Sequence, residues 1–340
     1  MPALHTADPP RTAPPRPWLL ADIGGTNARF GWLAPGSAGV QHLQTLRGAD
    51  HAGPAQAARS YLAQLALALG PAYTPPRAGA FAVATPLHGD RVSLTNGGWD
   101  FSCAATRDEL GLATLLMLND FEALALSLPR LQPQQLRRIG PSLPAPPGAA
   151  TLAVVGPGTG LGVAGIVPTA HGWVALPGEG GHATLSAADD FEAALLAWVR
   201  RRHAHVSAER LLSGIGLPLL HEALSQVLGT PAPVLEGSEI VERGVAGSDA
   251  LCARTLDTFC ALLGSFAGNV ALTLGARGGL YLGGGIVPRL GERFFESPFR
   301  ARFEAKGRFQ AYLQAVPTAL ITDTLAALGG AALALEQHRG

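Results

Sequence analysis

Short apolar runs separated by glycine-rich turns dominate the first half of the chain and return in the second. Two turns, residues 22–27 and 156–162, share one design, since each directly follows one apolar run and directly precedes another. Both predict a strand, a tight turn and a second strand. A third apolar run, at 280–282, predicts a strand that feeds the glycines of 283–285. Those glycines could pass under a base or ribose, or let a helix pack closely on the strand.

The segments between these turns predict alternating helices and strands. Residues 54–69 have helical spacing, and 79–84 form an apolar run typical of a buried strand. Residues 115–118 predict another buried strand, which delivers Asn119 and Asp120 at its C-terminal end. Open α/β sheets place functional residues at this edge. The pattern therefore predicts an α/β fold with polar side chains at strand ends.

Length and composition indicate a globular protein with a sizeable core. The chain has 340 residues, 47% hydrophobic and only 15% charged, which favours two domains. Lysine plus arginine and aspartate plus glutamate number 25 each, so no overall field favours nucleic acid or an anionic membrane. The strongest cationic cluster, residues 200–202, is typical of a solvated helix end. We therefore expect neither a nucleic-acid nor a membrane partner.

The cysteines and the chain ends bear on location. Cys103, Cys252 and Cys260 show no metal-ligand spacing and leave an odd count, which fits buried thiols in a reducing compartment. Residues 1–17 are rich in proline and lack a continuous apolar core, so they predict a disordered tail and not a signal peptide. The uncharged stretch 324–335 is too short to span a bilayer. The expected location is the cytoplasm.

Phosphate binding is the function that the paired glycine turns favour. Glycine lets backbone N–H groups close on an anion without an intervening Cβ. Lys306 is the only lysine and follows Ala305, which argues against a Walker loop or a kinase with a strand lysine. Leu161 stands where a dinucleotide fingerprint needs its third glycine. Any phosphate must be held by backbone amides, by hydroxyls such as those of Thr26 and Thr159, and by a metal ion. Two ordinary hairpin turns are the alternative.

Two aspartates at strand ends suit phosphoryl transfer, which needs a metal-bound nucleotide, an aligned hydroxyl and a carboxylate to take its proton. Asp22 precedes the first glycine turn, where a carboxylate could tether Mg²⁺ or its water shell. Asp120, on a different strand end beside Asn119, is better placed as the base. The alternative for either aspartate is a turn-capping role.

A glycine-rich loop carries Glu179 and His182 three residues apart, a spacing that suits zinc or neighbouring sugar hydroxyls. No cysteine pair or second close histidine in the sequence completes a zinc site. His203, His205 and Glu209 could also be drawn as a metal site, although such sites require convergent geometry that spacing does not show.

Ordered motifs from residue 18 to about residue 335 make the chain resemble a bacterial ATP-dependent glucokinase. The matching segments are ADIGGTNAR at 21–29, LTN at 94–96 with Trp99 and Phe101-Ser102, LNDF at 118–121, GTGLG at 158–162, LPGEGGH at 176–182, HVSAER at 205–210 with Ser213-Gly214, and GGGIVPR at 283–289. So many motifs in one order make chance agreement implausible.

The resemblance implies an α/β protein with the actin-like ATPase (ribonuclease H-like) fold, in which two α/β domains hold ATP and sugar in an interdomain cleft. The smaller domain would comprise residues 18–130 plus 320–340, and the larger domain residues 131–319. The segment 129–147, with proline and glycine through it, marks the boundary between them. The family is typically homodimeric.

Roles for individual residues follow from the same resemblance, position by position. Asp120 would be the general base on the glucose 6-hydroxyl. The residues implied to bind the sugar are Asn96, Asn119, Asp120, Glu179, His182 and Glu209. The residues implied to bind the nucleotide are Asp22, Gly24, Gly25, Thr26, Asn27, Gly158, Thr159, Gly160, Gly283, Gly284 and Gly285. Among them Asp22 would hold Mg²⁺, through water.

The implied reaction is transfer of the γ-phosphoryl group of Mg·ATP to the 6-hydroxyl of glucose by direct in-line displacement. Pro157 replaces the family's usual alanine and should only stiffen its turn. Asp323 opens a segment where Asn-Pro-Gly is common, which leaves the adenine-side contacts there open.

Two alternatives to a glucokinase differ in features that the sequence can be searched for. A kinase for another hexose or for an N-acetylhexosamine often carries a cysteine-rich zinc loop, whereas no cysteine lies between Cys103 and Cys252. A non-catalytic sugar-sensing regulator needs a DNA-reading helix-turn-helix, for which residues 1–17 are too short.

Overall fold

The structure, a computed structural model, describes residues 16–37, 39–94, 98–141 and 148–338. The strands are β1 (Trp18–Ile23), β2 (Asn27–Leu33), β3 (Gln41–Arg47), β4 (Ala78–Val83), β5 (Arg91–Ser93), β6 (Asp100–Ser102), β7 (Thr114–Asn119), β8 (Leu136–Ile139), β9 (Leu152–Pro157), β10 (Leu161–Thr169), β11 (Gly172–Gly178), β12 (Gly279–Leu282) and β13 (Thr318–Ile321). The predicted tail at 1–17 lies outside the described residues, apart from Arg16 and Pro17.

Helices alternate with strands in the first half of the chain, as the sequence pattern predicts, whereas five helices in succession lie between β11 and β12. The helices are α1 (Pro54–Leu69), α2 (Cys103–Glu109), α3 (Asp120–Ser127), α4 (Asp190–Arg200), α5 (Ala208–Leu211), α6 (Leu217–Leu228), α7 (Gly237–Ala246), α8 (Ala250–Leu274), α9 (Ile286–Arg289), α10 (Glu292–Glu296), α11 (Phe299–Glu304), α12 (Gln310–Gln314) and α13 (Ala326–Gln337). Single 3₁₀ turns are found at Gly48–Asp50, Gly70–Ala72, Leu128–Arg130, Pro133–Gln135, Gly180–His182 and Gly307–Phe309.

The chain divides into two compact units. The first unit contains the described residues up to Arg130, the short segment Ala170–Gly172, and the C-terminal residues from Leu325. The second unit contains Leu131–Thr169 and Trp173–Thr324. Soon after entering the second unit the chain forms β8, which pairs antiparallel with β13.

A five-stranded sheet with the order β3-β2-β1-β4-β7 forms the core of the first unit. β1 is antiparallel to β2 and parallel to β4, and β4 is parallel to β7. Every residue of β4 is buried, as expected of a central strand covered on both faces. β7 is an edge strand in which only Leu118 is buried. The prediction of a buried strand at 115–118 is therefore right about the strand and wrong about its burial, because an edge strand lacks one neighbour.

The C-terminal helix α13 packs against α3 at very close range. A Cβ at Gly330 would overlap the carbonyl oxygen of Ala123 in α3, so only glycine permits this approach. At the neighbouring Gly329 an added Cβ would meet open space. Helix α3, which begins at Asp120, thus packs directly against Gly330 of α13.

In the second unit a six-stranded sheet has the order β11-β10-β9-β12-β13-β8. β9 and β10 form an antiparallel hairpin, while β12 runs parallel to both β9 and β13. All six residues of β9 are buried. The carboxyl ends of β9 and β12 consequently lie side by side, which brings together the glycine turns that follow them.

The 25-residue helix α8 fills the core of the second unit against α6, α7 and α11. Among the described residues it is the one helix long and apolar enough to cross a membrane, and 78% of its most apolar window is buried inside the protein, as in the core helix of a globular domain. Burial raises the pKa of its thiols, to about 11 for Cys252 and about 12 for Cys260. Cys103 was also expected to be buried but is half-exposed, at the start of α2.

Candidate active site

The first glycine turn closes the hairpin between β1 and β2, which confirms the predicted strand, turn and strand. The Gly24 N–H donates to the carbonyl oxygen of Asn27 at 2.9 Å, and the Thr26 carbonyl accepts from the Gly48 N–H at 2.8 Å. The amides of Gly25 and Thr26 have no acceptor among the described residues. The turn is therefore fixed by its own backbone bonds and keeps two donors for a ligand.

Asp22 lies opposite Arg29 in this hairpin. Arg29 Nη1 donates to Asp22 Oδ2 at 2.9 Å. Burial raises the pKa of Asp22, and the arginine opposes that rise. The other oxygen, Oδ1, has no partner within the described chain. A single carboxylate oxygen suits Mg²⁺ that arrives with phosphate and keeps several waters, so the donor set fits the water-mediated role implied for Asp22.

The boundary between β7 and α3 is built by Asn119, the N-cap of the helix. Its Oδ1 accepts from the N–H groups of Phe121 at 2.9 Å and Glu122 at 3.3 Å, and the Asn119 N–H in turn donates to Glu122 Oε2 at 3.4 Å. These bonds form a capping box. The capping role that the sequence offered as an alternative for the aspartates is thus filled by Asn119. Its Nδ2 group, 3.4 Å from the Thr85 carbonyl, is the part of the amide that remains to donate to a sugar hydroxyl.

Asp120 is the first residue of α3. Its Oδ1 accepts from the Phe121 N–H at 2.9 Å, and hydrogen bonding from the side chain of Asn119 also favours the charged carboxylate. Burial, followed by the nearby charge of Asp22, raises the pKa of Asp120 to about 6. A carboxylate with this pKa is ionised at neutral pH and can still hold a proton during a reaction.

The second glycine turn closes the β9–β10 hairpin, again as predicted. The Gly158 N–H donates to the Gly160 carbonyl at 2.8 Å, and the Gly158 carbonyl accepts from the Gly214 N–H at 2.8 Å. The amides of Thr159 and Gly160 find no acceptor among the described residues. As in the first turn, two amides remain to bind phosphate oxygens. The other amides of the turn are not all available, because the Gly158 N–H is used within the turn itself.

The glycines that follow β12 differ in what the surrounding structure requires of them. The Gly283 N–H donates to the Val155 carbonyl at 2.9 Å. Gly284 has φ of 77°, and a Cβ there would overlap the Pro157 carbonyl. At Gly285 a Cβ would meet open space. Close packing therefore accounts for Gly284, whereas Gly285 leaves a bare surface that a nucleotide could use.

Three polar side chains of the second unit form what we call the sugar-side cluster, Glu179, His182 and Glu209. His182 Nε2 lies 4.0 Å from Glu179 Oε2 and 3.7 Å from Glu209 Oε1. The side chains of Glu179 and His182 are 61% and 59% exposed, and that of Glu209 is 25% exposed. The cluster offers acceptors and a histidine nitrogen to hydroxyl groups, as sugar recognition requires.

The alternative metal sites find no support in the described part of the chain, which contains no group of three or more His, Cys, Asp or Glu able to hold a metal ion. His205 Nε2 lies 3.1 Å from the hydroxyl of Thr184 instead. The proposed sets of Glu179 with His182, and of His203 with His205 and Glu209, therefore do not form zinc sites by themselves.

The structure gathers the implied residues into two groups, one in each unit. The first-unit group is Asp22, Gly24, Gly25, Thr26, Asn27, Asn119 and Asp120. The second-unit group is Gly158, Thr159, Gly160, Glu179, His182, Glu209, Gly283, Gly284 and Gly285. Asn96, also implied to bind sugar, lies outside the described residues.

Sequence reasoning missed several residues that shape these groups. Glu122 could have been found, because Asn119 and Glu122 have the spacing of a capping box before an apolar run. Arg29 faces Asp22 through the hairpin register, which the short turn fixes. The bond between Gly214 and Gly158 joins segments far apart in sequence, and local pattern carries no signal for it.

Comparison with known proteins agrees with this geometry. Residues 19–338 match the family model described as Glucokinase. The chain is 50% identical over 330 residues to the glucokinase of Chromobacterium violaceum, covering 96% of this chain and 92% of that protein. The crystal structure of a glucokinase from an Antarctic psychrotroph superposes with a TM-score of 0.86 at 38% identity, covering 95% of this chain and 99% of that one. A ROK family glucokinase from Streptomyces griseus, crystallised with glucose and AMPPNP, shares the fold with a TM-score of 0.56 at 18% identity, covering 93% of this chain and 98% of that one.

The two α/β units, with glycine turns at strand ends, define a sugar kinase of the actin-like ATPase fold, as the sequence analysis expected. Such enzymes are phosphotransferases. The chain belongs to the glucokinase family of ATP-dependent hexose kinases.

Proposed function

We propose that the protein transfers the γ-phosphoryl group of Mg·ATP to the 6-hydroxyl of glucose, giving glucose 6-phosphate and ADP. The observation that carries the proposal is Asp120, a carboxylate at the first residue of α3 whose pKa is raised to about 6 by burial and by the charge of Asp22. Phosphoryl transfer to an alcohol needs one such carboxylate near the attacking oxygen. The family match and the substrates named for the Streptomyces griseus enzyme support the choice of glucose and ATP.

The reaction is a single displacement without a phosphoenzyme. The O6–phosphorus bond forms while the bond from phosphorus to the oxygen bridging the β- and γ-phosphates breaks, and the O6 proton passes to Asp120 Oδ2. Because phosphoryl transfer has a loose transition state, proton transfer lags and positioning supplies most of the rate. A general base in this role contributes about 10²–10⁴-fold.

Sugar binding is assigned to the amide of Asn119 and to the sugar-side cluster, Glu179, His182 and Glu209. The Nδ2 group of Asn119 donates, and the two carboxylates accept from hydroxyls. Sites built from directional hydrogen bonds reject analogues that lack the matching hydroxyl. Asn96 is assigned to the sugar as well, on the family pattern.

Nucleotide binding is assigned to the amides that the two glycine turns leave without acceptors, those of Gly25, Thr26, Thr159 and Gly160. The bare surface at Gly285 receives the adenosine. Mg²⁺ bound with ATP neutralises phosphate charge, and Asp22 holds its water shell through the oxygen that does not contact Arg29.

We further propose that the protein works as a homodimer in the cytoplasm, at the entry of glucose into glycolysis, and that its functional domains follow the limits 18–130 plus 320–340 and 131–319. Support comes from the family resemblance and from the balanced charge of the chain. Analytical ultracentrifugation of the purified chain tests the dimer directly, and a monomer at micromolar concentration would refute that part.

The decisive experiment is a kinase assay that follows ADP formation with Mg·ATP and a panel of hexoses. We expect glucose to give the highest kcat/KM, followed by close analogues such as mannose or glucosamine, and glucose 6-phosphate to appear in step with ADP. A chain that binds glucose but forms no product with any donor tested, ATP, ADP or polyphosphate, would be the sugar-sensing alternative. A clear preference for an N-acetylhexosamine would identify the second alternative, a kinase for another sugar of this class.

A further inference from the structure

The carboxylate of Glu209 faces two different parts of the second unit. Oε2 accepts a hydrogen bond from the Leu161 N–H at 2.8 Å, directly after the glycine turn 158–160. Oε1 lies 3.7 Å from His182 Nε2, on the side of the sugar-side cluster. A hydrogen bond from a backbone amide to a carboxylate is charge-assisted and stronger than one between neutral groups. One side chain thus joins the residues proposed for sugar to the turn proposed for phosphate.

The glycine turn is also shaped around this carboxylate. A Cβ on Gly160 would lie 2.5 Å from Glu209 Oε2 and 3.3 Å from its Cδ, and apart from the adjacent residues 159 and 161 no other described atom would come within 4 Å. The φ angle of Gly160 is not in the positive range that favours glycine, so its backbone conformation does not itself require a glycine. A side chain at Gly160 would therefore meet Glu209, and the glycine leaves room for that carboxylate.

We propose that Glu209 is a positioning residue for the phosphate turn, in addition to its assigned contact with a sugar hydroxyl. By holding the Leu161 amide, it fixes the end of the turn and with it the amides of Thr159 and Gly160, which have no acceptor among the described residues. The inference rests on the proposed function, because it takes those amides as the phosphate donors.

A shared carboxylate has a thermodynamic consequence. Glucose that binds Oε1 restrains the Glu209 side chain, and the restrained side chain holds the turn in the shape that receives nucleotide. Coupling between two ligands is reciprocal, so nucleotide must tighten glucose binding by the same factor. Glu179 lacks this second contact, since among the described residues its carboxylate approaches only His182.

The test is calorimetric titration of the full chain with Mg·AMPPNP, with and without saturating glucose. Without glucose, we expect Glu209→Ala to weaken AMPPNP binding by about tenfold or more, the range for loss of a hydrogen bond to a charged group. Glu209→Gln keeps a carbonyl acceptor for the Leu161 amide and should stay within about threefold of wild type by the same reasoning. Glu179→Ala is the matched control, expected to raise the KM for glucose and to leave AMPPNP affinity without glucose unchanged.

A double-mutant cycle isolates the contact between the turn and the carboxylate. Gly160→Ala alone should weaken AMPPNP binding, because its methyl group meets Glu209 Oε2. In the Glu209→Ala background the same substitution should cost less than about twofold, since the obstacle is gone and coupled neighbours are not additive. Gly160→Ala retains Glu209, so it tests the same contact even if Glu209→Ala does not melt cooperatively.

Two outcomes would overturn the inference while leaving the proposed function intact. One is wild-type AMPPNP affinity in Glu209→Ala without glucose, which would make Glu209 a sugar ligand alone. The other is a double-mutant cycle in which the effects of Gly160→Ala and Glu209→Ala on AMPPNP affinity simply add. Failure of the wild-type chain to bind AMPPNP or to phosphorylate any sugar would instead refute the proposed function, so the two failures are distinguishable.

Discussion

Asp22 and Asp120 reach the same edge of one sheet from different strands, and burial, followed by the charge of Asp22, raises the pKa of Asp120. Asp22 on β1 lies level with Ala82 on β4, which lies level with Leu118 on β7. Asp120 follows two residues later. Neighbouring like charges disfavour each other's ionisation, so the residue proposed to tether Mg²⁺ also adds to the basicity of the proposed base.

The pH profile of kcat/KM for glucose should show this relationship. With a pKa of about 6, Asp120 is protonated as the pH falls, so we expect activity to fall to about a tenth of its plateau at pH 5. Asp22→Asn removes a negative charge, which lowers the pKa of Asp120 and moves the acid limb to lower pH. The position of the limb is read with both substrates well below saturation, so that it reports the free enzyme independently of the plateau height. A limb that stays in place or moves upward would contradict the coupling.

Removing the base should affect turnover far more than binding. We expect Asp120→Ala to lower kcat by about 10²–10⁴-fold, because the alcohol loses its proton acceptor in the transition state, with a much smaller change in the KM for glucose. Asp108→Ala, which removes an exposed carboxylate from the same unit, is the control and should leave kcat unchanged. Near wild-type turnover by Asp120→Ala in a steady-state assay would remove Asp120 from its assigned role.

Asn119 has a structural bond and an assigned sugar contact that substitution can separate. Asn119→Ser keeps an N-cap acceptor for the Phe121 and Glu122 amides but lacks the Nδ2 donor, whereas Asn119→Ala lacks both. Loss of one hydrogen bond predicts a KM for glucose raised by about threefold to tenfold in each variant. Loss of the cap predicts a further decrease of about 1 kcal/mol in unfolding free energy, in the alanine variant alone. An unchanged KM in Asn119→Ser would limit Asn119 to capping.

Local features of the fold were predictable from the sequence because local interactions determine them. The helix predicted at 54–69 is α1 (Pro54–Leu69), since a proline opens it and Gly70 with φ of 53° ends it. Both glycine-turn hairpins follow from apolar runs on either side of a turn. Relationships between distant segments were not predictable. The edge position of β7 and the bond from Leu161 to Glu209 depend on which elements pack together.

Substitutions of the neighbouring glycines after β12 can distinguish a glycine needed for packing from one needed for nucleotide binding. Gly284→Ala should destabilise the fold, because its φ of 77° and the adjacent Pro157 carbonyl both oppose a side chain. Gly285→Ala meets open space in the protein and should leave the melting temperature unchanged. We nevertheless expect it to weaken Mg·AMPPNP binding if the adenosine passes over this surface. Wild-type AMPPNP affinity in a stable Gly285→Ala chain would place the adenosine elsewhere.

The close packing of α3 against α13 can be tested by substituting two adjacent glycines of α13. Alanine normally stabilises a helix interior by about 0.5–1 kcal/mol relative to glycine, and Gly329→Ala should show this gain because its Cβ meets open space. Gly330→Ala forces a methyl group into the Ala123 carbonyl, so we expect a loss of about 1–3 kcal/mol through overpacking. Urea unfolding of both variants measures the difference. Because α3 begins at Asp120, the Gly330→Ala enzyme should also lose kcat at temperatures where it remains folded, while Gly329→Ala retains it. Equal stabilities for the two variants would show that α13 adjusts its position freely and does not fix the helix that carries the base.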